Sequence, residues 1–366
     1  MMHVTTRRHS KPAHPTTRRH RQGMAAAVLV VVATMLAVTA PSAGAHQRDP
    51  KGPLVDGLAG PLSIDVQPRG DVLVGQGFAG LVSSVDRRGD VTDLVAEPGA
   101  SAVAGGPFGV VVYSVRTDDG TSLLKLRMPW GATKLLADLG AFEAKRNPDR
   151  HNHYGFESIP EDCAAQWPVD VAGPPQYTGV ADSNPYSLAV THRGVYVADS
   201  GANAILFVDW DGRVRTAAVL PPQPIVVPDD PTAAGLPECV AGLTYAFEPV
   251  PTDIELTRSG AYVTLLPGGP EDASLGARGS VVKVDLDSGR SRPIATGFLG
   301  ATGLAISPQG DIYVAEIFGN RVSKVTRSGP KPVAELVQPA AIEWADGRLY
   351  VSYDVFASGK ITTIRR

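Results

Sequence analysis

The stretch TGLAISPQGDIYV (residues 302–314) decides the fold. It contains an apolar segment, a polar turn that ends in glycine, and a second apolar segment, which is the pattern of two strands joined by a tight turn. The second half of this pattern occurs in six copies, which begin at Gly70, Gly109, Gly194, Gly260, Gly310 and Gly347. Self-similarity of this kind indicates a repeat architecture.

Further strands surround each copy. An apolar segment precedes it, degenerate in the second repeat around residues 102–106, and an alternating segment follows it. Turns such as DRRG (86–89) and DWDG (209–212) lead to a fourth, outer strand. Four short strands in a unit of about 40 residues is the plan of a propeller blade, whereas a β-sandwich needs no internal repeat. We therefore expect an all-β, six-bladed β-propeller with four-stranded antiparallel blades.

The two ends of the repeat region are complementary. The last unit reaches Arg366 after its third strand, and PLVDGL (53–58) resembles the outer strands RPIATG (292–297) and KPVAE (331–335). An open sheet edge needs a partner. The N-terminal strand is therefore expected to complete the last blade and close the ring.

Residues 1–45 have the order of a secretory signal peptide. Six basic residues and no acidic one precede the apolar run 24–40, and Ala43-Gly-Ala45 supplies small residues at the cleavage positions. A membrane span needs about 20 apolar residues, so this run predicts a cleaved signal, with a retained anchor as the alternative. We expect a secreted bacterial protein of residues 46–366 with no stable membrane anchor.

Composition excludes several classes of protein. Hydrophobic residues make up 43% of the chain and charged residues 19%, which excludes disorder and collagen-like repeats. The formal net charge of −3 becomes more negative once the basic leader is removed. Binding to nucleic acid needs clustered Lys and Arg, so no nucleic-acid partner is expected. We expect a monomer.

Three insertions interrupt the repeats, at residues 141–183, 222–249 and 265–279. The first two lie between blades, and the third joins the second and third strands of blade 4. Both kinds of connection emerge at the same end of an antiparallel four-stranded blade. The insertions are thus predicted to cover one face, either as a functional surface or as a simple cap of the channel.

The two cysteines lie in neighbouring insertions, Cys163 in the first and Cys239 in the second. Both insertions flank blade 3 on the same face, and an exported protein meets an oxidising environment. A Cys163–Cys239 disulfide is predicted, with two free thiols as the alternative.

Five polar residues lie at inner-strand entrances, where they ring the predicted channel mouth: Asp182, Asn184, Thr252, Asp253 and Thr302. They are candidates for binding a ligand or a cation. The alternative is local capping of turns, which Asp and Asn side chains commonly provide.

Catalytic and metal motifs are weak. His151-Asn-His153 lies near Glu157, Glu161 and Asp162, but a loop of this kind is more typical of a solvated polar segment than of a zinc site. The sequence has no nucleophile elbow, zincin motif or phosphate-binding glycine loop. We expect no metal site and no cofactor, with Ca²⁺ in the channel as the alternative, and catalytic residues are not assigned.

Several motifs in the insertions resemble the ScyD/ScyE family of exported β-propellers. They are ECVAGLTYAFEPVPTD (238–253), LPGGP (266–270), GARG (276–279), DSNPY (182–186), and Glu143 with Asn147-Pro148. The resemblance extends from about residue 53 to the end of the chain. The family takes its name from proteins associated with biosynthesis of scytonemin, a cyanobacterial sunscreen pigment, so the resemblance implies fold and export more than activity.

More remotely, the repeats resemble six-bladed NHL-type propellers that include lactonases with a divalent cation in the channel. Those enzymes often place a ligand Asn in an inner-strand motif that here is PYSL (185–188) and ATGL (301–304), without the Asn. We therefore expect a non-catalytic binding or scaffold protein that uses its insertion-rich face for a small molecule, glycan or protein. The alternative is a metal-assisted hydrolase or lactonase that uses channel acids.

Overall fold

A computed structural model describes residues 52–366, and the predicted signal peptide at residues 1–45 lies outside the described residues. Within residues 52–366 the chain forms seven four-stranded antiparallel sheets. Six of them contain the sequence repeats and are numbered here as blades 1 to 6 in chain order. The seventh is formed by the first two insertions and is called the insertion sheet.

The first strands follow the repeats closely. One strand precedes blade 1, namely β1 (Val55–Leu58). Blade 1 consists of β2 (Pro61–Val66), β3 (Val72–Gln76), β4 (Leu81–Val85) and β5 (Val91–Ala96). Blade 2 consists of β6 (Ala100–Gly105), β7 (Val111–Arg116), β8 (Ser122–Arg127) and β9 (Thr133–Asp138), with a 3₁₀ turn at Pro107–Gly109.

Both insertions around blade 3 have secondary structure. The first contains α1 (Leu139–Arg146), β10 (His153–Phe156), α2 (Glu161–Ala164), α3 (Val169–Ala172) and β11 (Gln176–Thr178). Blade 3 consists of β12 (Pro185–Thr191), β13 (Gly194–Asp199), β14 (Ala204–Asp209) and β15 (Val214–Val219). The second insertion contains β16 (Gln223–Val226), 3₁₀ helices at Pro231–Ala234 and Glu238–Val240, and β17 (Thr244–Phe247).

The remaining strands complete the repeats. Blade 4 consists of β18 (Pro251–Thr257), β19 (Gly260–Leu265), β20 (Gly279–Val284) and β21 (Ser291–Phe298), with the third insertion between β19 and β20. Blade 5 consists of β22 (Ala301–Ile306), β23 (Ile312–Glu316), β24 (Arg321–Thr326) and β25 (Gly329–Glu335). Blade 6 consists of β26 (Ile342–Ala345), β27 (Arg348–Tyr353) and β28 (Gly359–Arg365).

The inner strands of the six blades contact one another in a closed ring. Each of β2, β6, β12, β18, β22 and β26 contacts the next, and β26 contacts β2. Apolar side chains fill the space between the faces of adjacent blades, as where Leu124 of blade 2 packs in one cluster with Val195 and Leu206 of blade 3. The expected β-propeller architecture is confirmed.

The N-terminal strand closes the ring as expected. β1 pairs antiparallel with β28, with Val55 opposite Ile361 and Leu58 opposite Gly359. The Leu54 N–H also donates to the carbonyl of Ile361 at 2.7 Å. Leu58 is buried in a cluster that includes Val72 of blade 1. The pairing covers the edge of β28 that the last blade would otherwise expose.

The expected six blades are not the complete set of sheets, because residues 52–366 form seven four-stranded sheets and the insertion sheet is the seventh. Its order is β11-β10-β17-β16, and Gly155 of β10 lies opposite Ala246 of β17. These strands have three or four residues each and join segments on either side of blade 3. Such a pairing shows neither an internal repeat nor a local hairpin signal in the sequence. The repeat pattern therefore predicts loops for both segments.

The predicted disulfide between Cys163 and Cys239 is confirmed, with 5.8 Å between the two Cα atoms. It joins α2 of the first insertion to a 3₁₀ helix of the second. Beside it, Phe156 makes edge contacts with Trp167 and Tyr245, each at 4.9 Å between ring centroids. The two insertions therefore have a small apolar core of their own.

Among residues 52–366, no helix is both long enough and apolar enough to span a membrane.

We predict that Leu58→Ala destabilises the protein by about 2–4 kcal/mol, because a buried leucine is removed from the strand that closes the ring. Chemical denaturation should show this loss in a single transition. Val91→Ala is the control, since Val91 lies exposed on the outer strand of blade 1 and its truncation should change stability by no more than about 0.5 kcal/mol. Equal effects of the two substitutions would contradict the role of β1.

We predict that the double substitution Cys163→Ser and Cys239→Ser lowers stability by roughly 3–4 kcal/mol, because the disulfide closes a long loop and restricts the unfolded chain. Trp167 lies buried beside the disulfide, so its fluorescence should report unfolding of the insertions. Reduction of the wild type should reproduce the loss, and reduction of the variant should have no effect. A wild type whose denaturation is insensitive to reductant would refute this prediction.

Candidate functional site

The ring encloses a channel cavity of about 320 Å³. Inner strands of five blades line it, namely β2, β6, β12, β18 and β26. This volume is at the lower end of the range for small-molecule sites. The channel is therefore large enough for a small ligand or a few water molecules.

Four carboxylates face this cavity, and they come from three blades. They are Asp65 of β2, Asp253 and Glu255 of β18, and Glu343 of β26. No Lys, Arg or His is among the lining residues, all of which lie in the described part of the chain. The channel is therefore strongly acidic, with no basic side chain to balance it.

Burial and mutual repulsion raise the pKa of these groups. The pKa of Glu343 is well above its usual range because of burial first, then the charges of Glu255, Asp65 and Asp253. The pKa of Glu255 is raised by burial and by Asp253 and Asp65. Burial raises the pKa of Asp253 to about 6, against the opposing effect of its hydrogen-bond donors. Near neutral pH the channel therefore favours bound protons or another positive charge.

Asp253 has a structural role in addition to lining the channel. Its Oδ1 accepts from the Ser187 hydroxyl of blade 3 at 2.7 Å and from its neighbour's backbone N–H. Its Oδ2 accepts from the Leu304 N–H of blade 5 at 2.7 Å. One carboxylate thus links three consecutive blades, and both of its oxygens are occupied by protein donors.

Two further predicted residues also link blades. Thr252 is 2% exposed, and its hydroxyl donates to the carbonyl of Ala301 at 2.9 Å. Thr302 is 4% exposed, and its hydroxyl donates to the carbonyl of Ala340 at 3.0 Å. Both hydroxyls join an inner strand to the start of the next blade. Thr252 lines the channel, and Thr302 is not among the lining residues.

Asp182 and Asn184 lie at the entrance of blade 3, outside the channel lining. The Asp182 carboxylate accepts from the Arg116 guanidinium at 3.2 Å and from the Ser183 N–H at 2.9 Å. The Asn184 backbone N–H donates to Asp199 at 2.6 Å. These are turn and loop contacts, and they leave the Asn184 side chain without a hydrogen bond to the described residues.

Sequence reasoning missed Asp65, Glu255 and Glu343. Strand pairing shows that these three acids occupy equivalent positions in their blades. Asp65 pairs with Leu73, Glu255 with Tyr262 and Glu343 with Tyr350, and in each second strand the next residue is a valine. The other blades have alanine there, namely Ala104, Ala189 and Ala305. An acid at a fixed position inside an otherwise apolar inner strand was the signal that could have identified them.

The residues weighed for zinc lie apart from the channel. His151, His153, Glu157, Glu161 and Asp162 are all exposed in the first insertion. Among residues 52–366, no three His, Cys, Asp or Glu side chains are arranged to hold a metal ion.

The third insertion packs against the second. The Arg278 guanidinium lies over the ring of Phe247 at 4.6 Å and donates to the carbonyls of Gly268 and Pro270. Leu275 joins the apolar cluster around the disulfide. All three insertions therefore form one continuous structure at the end of the ring where the inner strands begin.

Comparisons with known proteins show the fold. No protein-family profile matches the sequence, and a search of curated proteins found no match. The chain is similar to a protein of unknown function from Bacteroides thetaiotaomicron, with a TM-score of 0.51, 13% identity, and coverage of 82% of this chain and 69% of that chain.

Two enzymes are also similar in structure. The PQQ-bound aldose sugar dehydrogenase from Streptomyces coelicolor has a TM-score of 0.50 and 12% identity, with 86% of this chain and 97% of that chain covered. Virginiamycin B lyase from Staphylococcus aureus has a TM-score of 0.47 and 15% identity, with 84% and 96% covered. At such identities the likeness concerns architecture, and this chain is a β-propeller.

We predict that Glu343→Gln stabilises the protein at pH 8 but not at pH 4. A carboxyl with a raised pKa in the folded state contributes stability below its unfolded pKa and loses it as pH rises through the folded pKa, whereas Gln has no charge to lose. At pH 8 the melting temperature should rise by about 2–4 °C, the shift that roughly 1 kcal/mol causes in a large domain.

The control for this prediction is Glu335→Gln, which removes an exposed carboxylate of blade 5. Its effect should be small and independent of pH. A Glu343→Gln variant that is less stable than the wild type at pH 8 would contradict the prediction and show that the carboxylate has a cationic partner in solution.

Proposed function

We propose that this protein is a secreted, non-catalytic β-propeller similar to the ScyD/ScyE family, which binds a small molecule, glycan or protein through its insertion-rich face. The observation that supports this most is the insertion sheet. The insertions form an additional sheet, a disulfide and an aromatic core at one end of the ring. Shorter connections between the blades would suffice for the fold. Rigid scaffolds commonly carry function on such additions.

The surface of the insertions has apolar side chains in contact with solvent. Val171 of α3 is 90% exposed, Val169 is 49% exposed, and Val226 of β16 is 67% exposed. Val169 and Val171 lie on α3, none of whose four residues is buried, so this short helix presents both valines to a partner. Aliphatic contacts of this kind suit the apolar face of a sugar ring or a peptide.

Secretion is part of the proposal. The Cys163–Cys239 disulfide suits an oxidising compartment, and the leader-like residues 1–45 supply an export route. The ScyD/ScyE-like motifs fall in the same insertions: residues 238–253 include a 3₁₀ helix, β17 and the start of β18, and residues 266–270 contain the carbonyls that Arg278 holds. We further propose a monomer without a nucleic-acid partner.

Within this proposal the channel-mouth residues have unequal roles. Asn184 is the best candidate for a direct ligand contact, because its side chain is free of other described partners. Asp182, Thr252, Asp253 and Thr302 would act by holding the mouth in shape, since each already contacts another blade or loop.

One observation favours a second function, a hydrolase or lactonase. Carboxyl groups with raised pKa values are suited to proton transfer, and Asp253, with a pKa of about 6, lies in hydrogen-bond contact with the Ser187 hydroxyl. Binding remains the main proposal, because protein donors occupy both oxygens of Asp253.

The proposal predicts that the double substitution Val171→Asp and Val226→Asp abolishes ligand binding without altering the fold. The mature protein would be screened by thermal shift against small molecules and on a glycan array, and each hit measured by calorimetry. Two new charges on an apolar contact surface should weaken binding by at least about tenfold. The control is Phe108→Asp, since Phe108 is 97% exposed in the β6–β7 turn at the opposite end of the ring.

Hits that bind both variants with wild-type affinity would place the site elsewhere and reject the insertion face. Lactone and ester hydrolysis would be assayed in parallel with the wild type and Glu255→Gln. Turnover that Glu255→Gln removes would favour the enzyme over the binding protein.

A further inference from the structure

The end of α1 brings three oxygen-bearing side chains together beneath the insertions. Glu143 and Asn147 lie one helical turn apart, so they share a face of the helix. The helix ends at Asn147, which has a left-handed backbone (φ 38°) and whose N–H donates to the Glu143 carbonyl at 2.8 Å. Asp149 follows two residues later. This turn directs the three side chains towards the body of the protein, where Glu143 and Asp149 are each 1% exposed.

Four oxygens of this set have no hydrogen-bond partner of ordinary geometry among residues 52–366, although the backbone N–H of Asp182 is close enough to Glu143 to act against the rise of its pKa. They are both carboxylate oxygens of Glu143, the amide oxygen of Asn147 and Oδ1 of Asp149. Among residues 52–366 only eight buried side-chain N or O atoms lack a partner, and half of them lie in this one turn. Buried polar atoms are nearly always paired, so such a concentration needs an explanation.

The surroundings hold the free oxygens in place. Asp149 Oδ2 accepts from the Tyr154 hydroxyl at 2.8 Å and from Asn203 Nδ2 at 2.9 Å, which leaves only Oδ1 free. Asn147 Nδ2 donates to the Gly179 carbonyl at 2.9 Å, so its own oxygen is the free atom. A Cβ added to Gly179 would lie 2.2 Å from Asp149 Oδ1. One glycine thus contacts both Asn147 and Asp149 and leaves room for their oxygens.

The buried carboxylates at the end of α1 have no basic side chain paired with them among the described residues. Asp199 is fully buried nearby, and its oxygens are satisfied by Ser183, Asn184 and Ala202. Arg116 pairs with Asp182, and the Arg150 guanidinium donates to the carbonyls of Arg146 and Asn147. Among the described residues neither Glu143 nor Asp149 forms an ion pair, and the C-terminal end of a helix itself favours a cation.

We propose that Glu143, Asn147 and Asp149 bind one Ca²⁺ ion at the end of α1. Two carboxylates and an amide oxygen are hard ligands of the kind that calcium prefers, and Glu143 offers both oxygens. The set has no nitrogen or sulfur donor, which disfavours zinc and copper. Since only two of the three side chains are carboxylates, the site lacks the larger carboxylate cluster that usually identifies a metal centre in a sequence.

The ion would fasten the first insertion to blade 3. Asn203, in the β13–β14 loop, donates to Asp149 and also accepts at 3.1 Å from the N–H of Val250, the residue that directly follows the second insertion. A cation at Asp149 would therefore stabilise the connection between both insertions and the ring. This role is independent of the ligand that the insertion face binds.

The test uses the mature protein, freed of metal by a chelator, and measures thermal unfolding and calorimetric binding with calcium chloride. At a calcium concentration about 100-fold above the dissociation constant, the melting temperature of the wild type should rise by about 5 °C. Glu143→Gln and Asp149→Asn should each lose this shift. Glu157→Gln, which changes an exposed glutamate of the same insertion, should keep it, and so should Glu343→Gln in the channel.

Two results would overturn the proposal. A wild type that shows no calcium shift or binding heat up to about 10 mM, beyond the weakest extracellular calcium sites, would mean that the two carboxyls share a proton instead. A shift that survives in Glu143→Gln and Asp149→Asn but disappears in Glu343→Gln would place the ion in the channel.

Glu143→Asp is the second variant, for the case that Glu143→Gln does not fold. It keeps the charge but withdraws the carboxylate, and calcium affinity should fall by about tenfold or more. Wild-type affinity in this variant would also overturn the proposal.

Discussion

The inner strands of the ring face a constraint that the rest of the structure depends on. Each is the edge of its sheet, and an edge strand has backbone N–H and C=O groups with no partner in the ladder. Here side chains cross from one blade to the next to satisfy them. The Ser63 hydroxyl accepts from the Val103 N–H at 3.1 Å, and the Asp253 carboxylate accepts from the Leu304 N–H at 2.7 Å. The Thr252 hydroxyl donates to the Ala301 carbonyl. These bonds complement the apolar packing between blades and keep the ring in register.

This arrangement explains why the channel is acidic. A carboxylate is a good acceptor for an inner-strand N–H, as Asp65 is for Gly105 and Asp253 is for Leu304. Burial raises the pKa of Asp65 and of Asp253, and their charges add to burial in raising the pKa of Glu255 and Glu343. Glu255 and Glu343 accept no hydrogen bond from residues 52–366 that would offset this rise. The two aspartates therefore add negative charge to the channel while they hold neighbouring blades together. The two glutamates add negative charge without a bond between blades.

Much of the fold could be predicted from sequence because its signals are local. The six copies of a glycine followed by an apolar strand each depend on a short segment, and so does the outer-strand pattern at residues 53–58. The disulfide follows from the positions of the cysteines and one simple topological rule. The insertion sheet could not be predicted in this way. Gly155 and Ala246 pair although all of blade 3 lies between them in the sequence, and neither strand shows a sustained alternation of apolar and polar residues. The channel acids were missed for another reason: attention to strand entrances favoured Thr302 and Asp182, whereas Asp65 and Glu343 lie further along the inner strands.

Two groups of acids in this molecule differ in how they meet the cost of buried charge. The channel carboxylates line a cavity, so a proton can reach and neutralise each of them as pH changes. Glu143 and Asp149 are sealed beneath the insertions, and the donors around Asp149 all point at one oxygen. A free oxygen held in a fixed orientation suits a metal ion, which needs several ligands placed in advance. Two clusters of carboxyl groups can therefore differ in what they bind. Here the two clusters differ in the direction from which neighbouring donors approach the carboxylates.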